Sequence, residues 1–371
     1  MIELETSVAA RRNSGAEASA RQRATPAVSV LIVNHNGGAD LAACLDSLRN
    51  ADYDAYEVIV VDNASTDGST DHLGESYPDV RLIGSAENLG FGGGNNLAAT
   101  HARGEYLAFL NPDTVVDPGW LRALIETLER DTWTGLATSM VLLKESPERV
   151  NACGNAMHTT GLTLCRGMAA DRAAYPFEEE VDAVSGAAFA MRRSLYEALG
   201  GFDEAFFLYM EDTDLSLRAR LAGYTCRYVP GSIVYHDYQL RFGPRKTYYQ
   251  ERNRCRMLLK TLRWGTLASL APTLLLGEIV TWGFALLRDR GHLTNKLEAY
   301  VWVARHWREI MAARRATQAT RRVRDRDLLS RTTHHLALDQ VERGPLQRLA
   351  QFLLDPLFLG FRWLSLAVIR W

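Results

Sequence analysis

The chain has 371 residues, 47% hydrophobic and 23% charged, a balance that excludes a disordered chain and supplies a large buried core. Its formal net charge of −2 leaves no global cation excess to displace counterions from phosphates, which argues against nucleic acid as a partner. Five scattered cysteines (Cys44, Cys153, Cys165, Cys226, Cys255) form no Cys-x-x-Cys pair, so free thiols in a reducing compartment fit better than a disulfide framework or zinc site.

Residues 1–25 carry Arg11, Arg12, Arg21 and Arg23 among alanines and serines, with no apolar run before Val28; they read as a flexible tail without a secretory signal. From Val28 the pattern becomes strand–helix alternation. Val28–Val33 is a continuous, largely β-branched run, expected of a strand buried on both faces of a parallel sheet. Leu41, Cys44, Leu45 and Leu48 follow at helical spacing, and Glu57–Val61, Arg81–Ile83 and Tyr106–Leu110 read as further strands. Such alternation implies right-handed βαβ units, whose ligands bind beyond the carboxyl ends of the strands. The polar residues to read are therefore Asn34-His35-Asn36, Asp62-Asn63 and Asn111-Pro112-Asp113.

Each has a chemical and a structural reading. Asp113 is placed to ligate Mg²⁺ or Mn²⁺, hard cations that take oxygen ligands, but Asn-Pro-Asp is also ordinary turn chemistry. Asp117 before Pro118 reads as a helix N-cap. Asp62 is suited to a base or ribose, or to an Asx turn. The glycine-rich stretch Asn88–Asn96 offers close backbone approach to a phosphate or sugar, though it matches neither Walker A nor the dinucleotide fingerprint.

From Ser139 to Tyr238 the chain continues with Ser185-Gly186-Ala187-Ala188 and a Ser194-x-x-Glu197 capping box opening a short helix. Glu211, Asp212 and Asp214 then open a helix bearing Leu215, Leu217 and Leu221 and stopped by Gly223. Neighbouring carboxylates raise one another's pKa, which favours a general base, while acids also favour helix N-termini for dipole reasons alone. Val229 and Ile233–Tyr235 suggest two strands, followed by His236, which by itself reads as a structural histidine, and by Arg241, Arg245 and Lys246, a loop able to clamp a pyrophosphate or merely a solvated one. Gly265–Leu287 is an apolar run with one charge, Glu278, and Pro272 inside; it reads as a re-entrant or interfacial hairpin in preference to a clean span. Leu349–Trp371 is a second apolar stretch, and Arg288–Arg331 between them holds twelve basic against five acidic residues, a composition suited to an anionic membrane surface.

Taken together, Val28–Asn36, Val58–Ser69, Asn88–Asn96, Phe109–Asp117, Ser185–Arg193, Gly200–Arg218 and Tyr248–Asn253 resemble the inverting glycosyltransferase family two, especially its rhamnosyltransferase-like branch, over about residues 26 to 260. The resemblance implies an α/β GT-A fold, a Rossmann-like, mostly parallel sheet with flanking helices, over residues 26–262; residues 263–371 fall outside it and read from their composition as a helical membrane-associated region. It implies a nucleotide-sugar site at the strand ends made by Val33, Asn34, Asn36, Asp62, Asn88, Asn111, Asp113 and Arg245. Asp212 would be the catalytic base, Glu211 its orienting neighbour, and Asp214 with Arg218 the helix support. Ser185 and Gly186 would lie on the acceptor side. Asp113 and His236 would bind the divalent cation, Mg²⁺ or Mn²⁺. Many members carry Asp-x-Asp where this chain has Asn111-Pro112-Asp113, and the asparagine version is a mark of the rhamnosyltransferase-like branch that tilts the donor toward dTDP-L-rhamnose. The partners implied are a nucleotide diphosphate-sugar and a glycan or lipid-linked acceptor of bacterial surface polysaccharide synthesis, at the inner face of the cell membrane. A sugar nucleotidyltransferase shares the fold type, but would want Arg or Lys directly after the first strand, where Asn34-His35-Asn36-Gly37-Gly38 has neither. A catalytically inactive, membrane-tethered binding module is the non-enzymatic alternative.

Overall fold

A computed structural model describes residues 26–238, 243–288, 290–340 and 344–371; the expectations for residues 1–25 and for Arg241 fall outside them. The first half builds the sheet from β1 (Val28–Asn34), α1 (Gly38–Arg49), β2 (Tyr56–Asn63), α2 (Leu73–Ser76), β3 (Val80–Ser85), α3 (Gly90–Thr100) and β4 (Tyr106–Leu110). Strands β3, β2, β1 and β4 lie side by side and parallel, Val33 opposite Val61 and Leu31 opposite Phe109. Period-two alternation along β1 divides two cores. Val30 and Ile32 pack with Leu41, Leu45 and Leu48 of α1, while Leu31 packs with Ile59 and Phe109 on the other face.

Beyond β4 come β5 (Thr114–Val116), α4 (Trp120–Arg130), β6 (Thr134–Leu143), β7 (Ser146–Ala152), β8 (Asn155–Met157), β9 (Thr163–Cys165), β10 (Glu179–Val181), β11 (Ala188–Arg192), α5 (Arg193–Ala198), α6 (Glu211–Leu221) and β12 (Thr225–His236). The sheet order is β10-β12-β6-β11-β4-β1-β2-β3, with β5 on β12 and β7 on β6. Strand β11 runs antiparallel to both β4 and β6, and β12 runs parallel to β6. The last residues of β1, β2, β4 and β12 and the first of β11 therefore share one edge. That edge collects Asn34, Asp62, Asn111, Gly186 and His236.

Several local expectations change. Val229 and Ile233–Tyr235 belong to one strand, β12, whose register slips between Val229 and Ile233 around Pro230-Gly231, so a bulge imitates a break in the sequence. Ser194 lies inside α5 rather than capping it, because the chain enters the helix straight from β11 and Arg192 holds the cap position. Asp117 makes an Asx turn, accepting from Gly119 N–H at 3.2 Å, and α4 starts only at Trp120. The glycines of Asn88–Asn96 are not left open to a ligand: they form the first turns of α3 and are filled by protein. A Cβ on Gly94 would stand 2.6 Å from Val33 Cγ1, and one on Gly90, at φ +71°, would stand 2.1 Å from the Phe207 carbonyl oxygen.

The C-terminal helices are α7 (Pro244–Thr261), α8 (Trp264–Ser269), α9 (Ala271–Arg288), α10 (Arg290–Arg305), α11 (Trp307–Ala319), α12 (Asp325–Leu329) and α13 (Pro345–Val368). The apolar run Gly265–Leu287 is thus divided between α8 and α9, and Pro272 sits in the first turn of α9, where a missing N–H costs nothing. Its lone charge has partners. Glu278 pairs with Arg254 of α7 and, at 3.2 Å, with Lys296 of α10, while Glu251 pairs with the same two cations at 2.6 and 3.1 Å. Lys296 is fully buried and also donates to Thr281 Oγ1 at 2.7 Å. Glu278 therefore fastens α9 to α7 and α10. Glu278→Ala should destabilise the fold by about 3 kcal/mol in equilibrium denaturation, the low end for breaking a buried pair, because Glu251 still holds both cations.

Candidate active site

The loops that leave β1 and β2 brace each other across the sheet edge. Asn34 is fully buried, and its amide donates to Ser69 Oγ at 2.9 Å and Ser65 Oγ at 3.1 Å. Asn36, at φ +56°, accepts from Thr66 N–H at 2.8 Å, and Asp67 Oδ2 accepts from Gly38 N–H at 2.9 Å. Asp62 closes an Asx turn with Ser65 N–H at 3.0 Å and accepts from Thr70 Oγ1 at 3.0 Å. Asn88 accepts from Asn63 Nδ2 at 3.0 Å and from Gly90 N–H at 2.8 Å, which joins the head of α3 to the end of β2. Val33 packs its side chain on Gly94 of α3. These side chains build a rigid rim, and Asn34 and Val33 act within its wall.

Asp113 follows β4 on the same edge, and the β5–β12 pairing sets Thr114 opposite His236. Asp113 Oδ1 lies 3.3 Å from His236 Nε2, is buried and accepts no hydrogen bond. On its other side His236 Nδ1 meets Asn151 Oδ1 at 2.9 Å, and Asn151 turns its NH₂ to Met168 Sδ at 3.8 Å. With Asn151 Oδ1 accepting from Nδ1–H, Nε2 is the nitrogen turned toward the carboxylate and the one available to a cation. Two facing lone-pair donors, one of them orphaned, suit a shared cation, and the remote Nδ1–H bond is the support a ligating histidine uses. No group of three or more His, Cys, Asp or Glu side chains able to hold a metal occurs among the described residues, so this chain supplies a two-sided seat.

Asp212 stands one strand away. Backbone pairing continues from β4 into the residue before β11, with Asn111 N–H donating to Ala187 O at 2.9 Å, and the adjacent Gly186 N–H donates to Asp212 Oδ2 at 2.8 Å. Asn155 Nδ2 reaches the same oxygen at 3.1 Å, while Thr213 N–H holds Oδ1 at 2.6 Å. A Cβ on Gly186 would come within 3.2 Å of Oδ2, so glycine leaves room for the carboxylate. Ser185 is buried and donates its N–H to Thr138 Oγ1 at 3.1 Å, fixing the turn that presents Gly186.

The glycosyl transferase family 2 model matches residues 29–200. N-acetylglucosaminyl-diphospho-decaprenol L-rhamnosyltransferase of Mycobacterium tuberculosis is 31% identical over 236 residues, covering 57% of this chain and 76% of that protein. The chain belongs to glycosyl transferase family 2. The rhamnosyltransferase WbbL of Escherichia coli K12 is 26% identical over 223 residues, 56% of this chain and 83% of that protein, and the two relatives put this glycosyltransferase on the rhamnosyltransferase-like side of the family. The crystal structure of GalNAc-T7 with UDP, GalNAc and Mn²⁺ superposes with a TM-score of 0.53 at 18% identity over 64% of this chain and 48% of that one, which supports the GT-A-like fold.

In this glycosyltransferase the acidic helix start is held by the Asp214–Arg218 pair read in the sequence and by Lys260 and Asn253, which the sequence does not single out as site residues. Asp214 is fully buried, paired with Arg218 at 2.8 Å and with Lys260 of α7 at 2.6 Å, and Arg218 ties back to the carbonyls of Leu199 and Gly201. Asn253, also fully buried, donates to the carbonyls of Phe206, Leu208 and Tyr209. It holds a loop in which Phe207, Tyr209 and Met210 all have positive φ, the strained lead-in to Glu211. Asn155, Asn151 and Asn253 have no spacing that announces a role; Asn253 alone lies in a stretch that carries the family resemblance. Arg245 is exposed and stacked over Tyr248 at 4.6 Å at the start of α7.

Burial, then the charge of Asp212, pushes the Glu211 carboxyl up to about 8, and burial also raises Asp212. Glu211 Oε2 is buried without a hydrogen-bond partner, so its neutral form is the comfortable one. A carboxyl raised on folding stabilises the fold fully below its unfolded value, and that contribution drains away as pH climbs through the folded value. Glu211→Gln should therefore gain thermal stability relative to the parent as pH rises from about 4.5 to about 8, and match it at lower pH.

Proposed function

We propose that the chain transfers a sugar, L-rhamnose from dTDP-L-rhamnose as first choice, onto a lipid-linked glycan acceptor at the inner membrane face, inverting the anomeric centre. The observation that carries this reading is the convergence of Asp113 and His236 with Asp212 at one sheet edge. Similarity to a relative named for a diphospho-decaprenol-linked N-acetylglucosamine acceptor favours that acceptor class.

Asp212 is the general base. Its Oδ2 is anchored by Gly186 and Asn155, which leaves the carboxylate aimed from a fixed helix start, and it takes the proton of the acceptor hydroxyl as the oxygen bonds to the anomeric carbon. Glu211, kept neutral, lowers the local negative charge that would otherwise repel the departing diphosphate. Mg²⁺ or Mn²⁺ held by Asp113 and His236 would supply charge neutralisation to the diphosphate. Asp62, Asn36 and Asn88, on the braced rim, shape the nucleoside slot, and Arg245 is a phosphate-side cation.

The test is incubation of the chain with dTDP-L-rhamnose, a polyprenyl-diphospho-N-acetylglucosamine and Mn²⁺. Expected products are dTDP and an anomer-inverted glycolipid by NMR. Pyrophosphate release instead would identify a nucleotidyltransferase, and absence of any turnover across UDP-, dTDP- and GDP-sugars would identify a binding module.

A further inference from the structure

We propose that α9 and α13 form one lipid-docking face that lies in the plane of an anionic bilayer rather than crossing it. The proposal deepens the reading that the acceptor is carried in a membrane, and names the surface that meets it.

Helix α13 contains Gln347–Val368, long and apolar enough by composition to span a bilayer. One stripe of it is pinned to the rest of the protein over four turns. Asp355 meets His335 Nδ1 at 2.8 Å, and Phe358, fully buried, packs edge-on against His158 at 4.6 Å between ring centres. Arg362 donates to the carbonyls of Thr332 and Ser330 at 2.9 and 2.6 Å, Ser365 donates to Ser269 O at 3.2 Å, and Ile369 is buried with Leu270. These positions recur every three or four residues, the signature of one helix face. Turning this helix along the membrane normal would strip all these contacts and carry Asp355 and Arg362 into hydrocarbon.

The remaining face is apolar and open. Phe352 is 76% exposed, Trp363 68% and Leu353 57%. On α9 Leu287 is 77% and Ile279 62% exposed, just as bare. The two helices meet where Leu274 of α9 and Leu366 of α13 pack on the cluster of Leu270 and Ile369, with Ser365 donating to Ser269 just before α9, so their bare faces belong to one assembly. So much unpartnered aliphatic and aromatic surface needs an apolar occupant.

Charge selects which one. Arg348 near the start of α13 and Arg370 just beyond its end are exposed and flank this surface with cations. Anionic headgroups complement such flanking cations, and Trp with Arg is the interfacial pairing that in-plane helices use. A two-fold pair of chains would set the same cations against themselves.

Flotation of the full chain with vesicles of phosphatidylglycerol and phosphatidylcholine tests this. The chain should float with them, should float at least tenfold less with pure phosphatidylcholine, and should be released by alkaline carbonate. Phe352→Glu with Leu353→Glu, and separately Leu286→Glu with Leu287→Glu, should each cut the bound fraction at least tenfold while melting at the parental temperature. Carbonate resistance, or full retention of the Leu286/Leu287 variant, would establish a span by α13 and overturn the proposal. So would failure of the parent to bind anionic vesicles, or a lipid-free dimer, by light scattering, that the glutamates dissociate. Sugar transfer to a water-soluble acceptor, assayed on the same preparations, separates this outcome from failure of the transferase reading.

Discussion

Asp212→Asn should lower kcat by about 10²–10⁴-fold, the range for deleting a general base, and should leave donor affinity within a few-fold of the parent. Asparagine keeps the shape and can still accept from Gly186 N–H with its carbonyl oxygen, but it has no proton affinity for the acceptor hydroxyl. A residue that merely capped α6 would show the opposite pattern, a loss of stability with little change in kcat per folded molecule. The pH profile adds a second check. Burial raises Asp212, so the active, ionised form is gained as pH rises and the parental rate should climb on its acid limb. In the asparagine variant that limb should vanish, and Glu211, relieved of its charged neighbour, should titrate lower. Isothermal titration with dTDP or UDP, stopped-flow turnover and pH-rate profiles measure all three. Near-parental turnover in Asp212→Asn would remove the base from this residue.

Asp113→Asn and His236→Ala should each weaken Mn²⁺ binding by at least tenfold, read directly by electron paramagnetic resonance of free Mn²⁺ in the presence of donor. Each would remove one of the two proposed ligands, so the effect on kcat/KM should exceed that of any rim residue. Asn151→Leu is the more discriminating variant. It touches no donor atom, yet it removes the acceptor that holds His236 Nδ1–H, and loss of such outer support costs about 10–100-fold in metal affinity. Unchanged Mn²⁺ affinity in all three would leave Asp113 and His236 as an ordinary surface-edge pair.

The first half of the fold was legible because its signals are local. Val28–Val33 carries its own burial in its β-branched run, and strand ends are marked by Asn34, Asp62 and Asn111 within a few residues. The second half depends on distant pairing. Strand β11 sits between β4 and β6, and nothing near Ala188 states that it runs antiparallel to both. The site divides in the same way. Asp113 and Asp212 belong to motifs and could be read in order, and His236 could be read only through the family resemblance, whereas Asn151 and Asn155 matter only because β7 and β8 bring them under His236 and Asp212. Glycine content misled, since the room left by Gly90 and Gly94 is occupied by Phe207 and Val33, a fact with no trace in the Asn88–Asn96 stretch itself. The apolar C-terminal composition was visible, but the partner of Glu278 was not, because Arg254 lies on a helix that the sequence assigns to the catalytic unit.

The ion cluster joining α7, α9 and α10 decides how this protein can be dissected. Cutting the chain before α9 would strand Arg254 in the interior with Glu251 alone and expose Leu258 and Leu262, whose neighbours come from α8, α12 and the far C-terminal end. A shortened version would lose solubility for reasons unrelated to lipid. The family fold and its helical base should therefore unfold as one cooperative body, and purification strategies that trim the apolar end work against the packing of α7, the helix that carries Asn253 under the acidic loop.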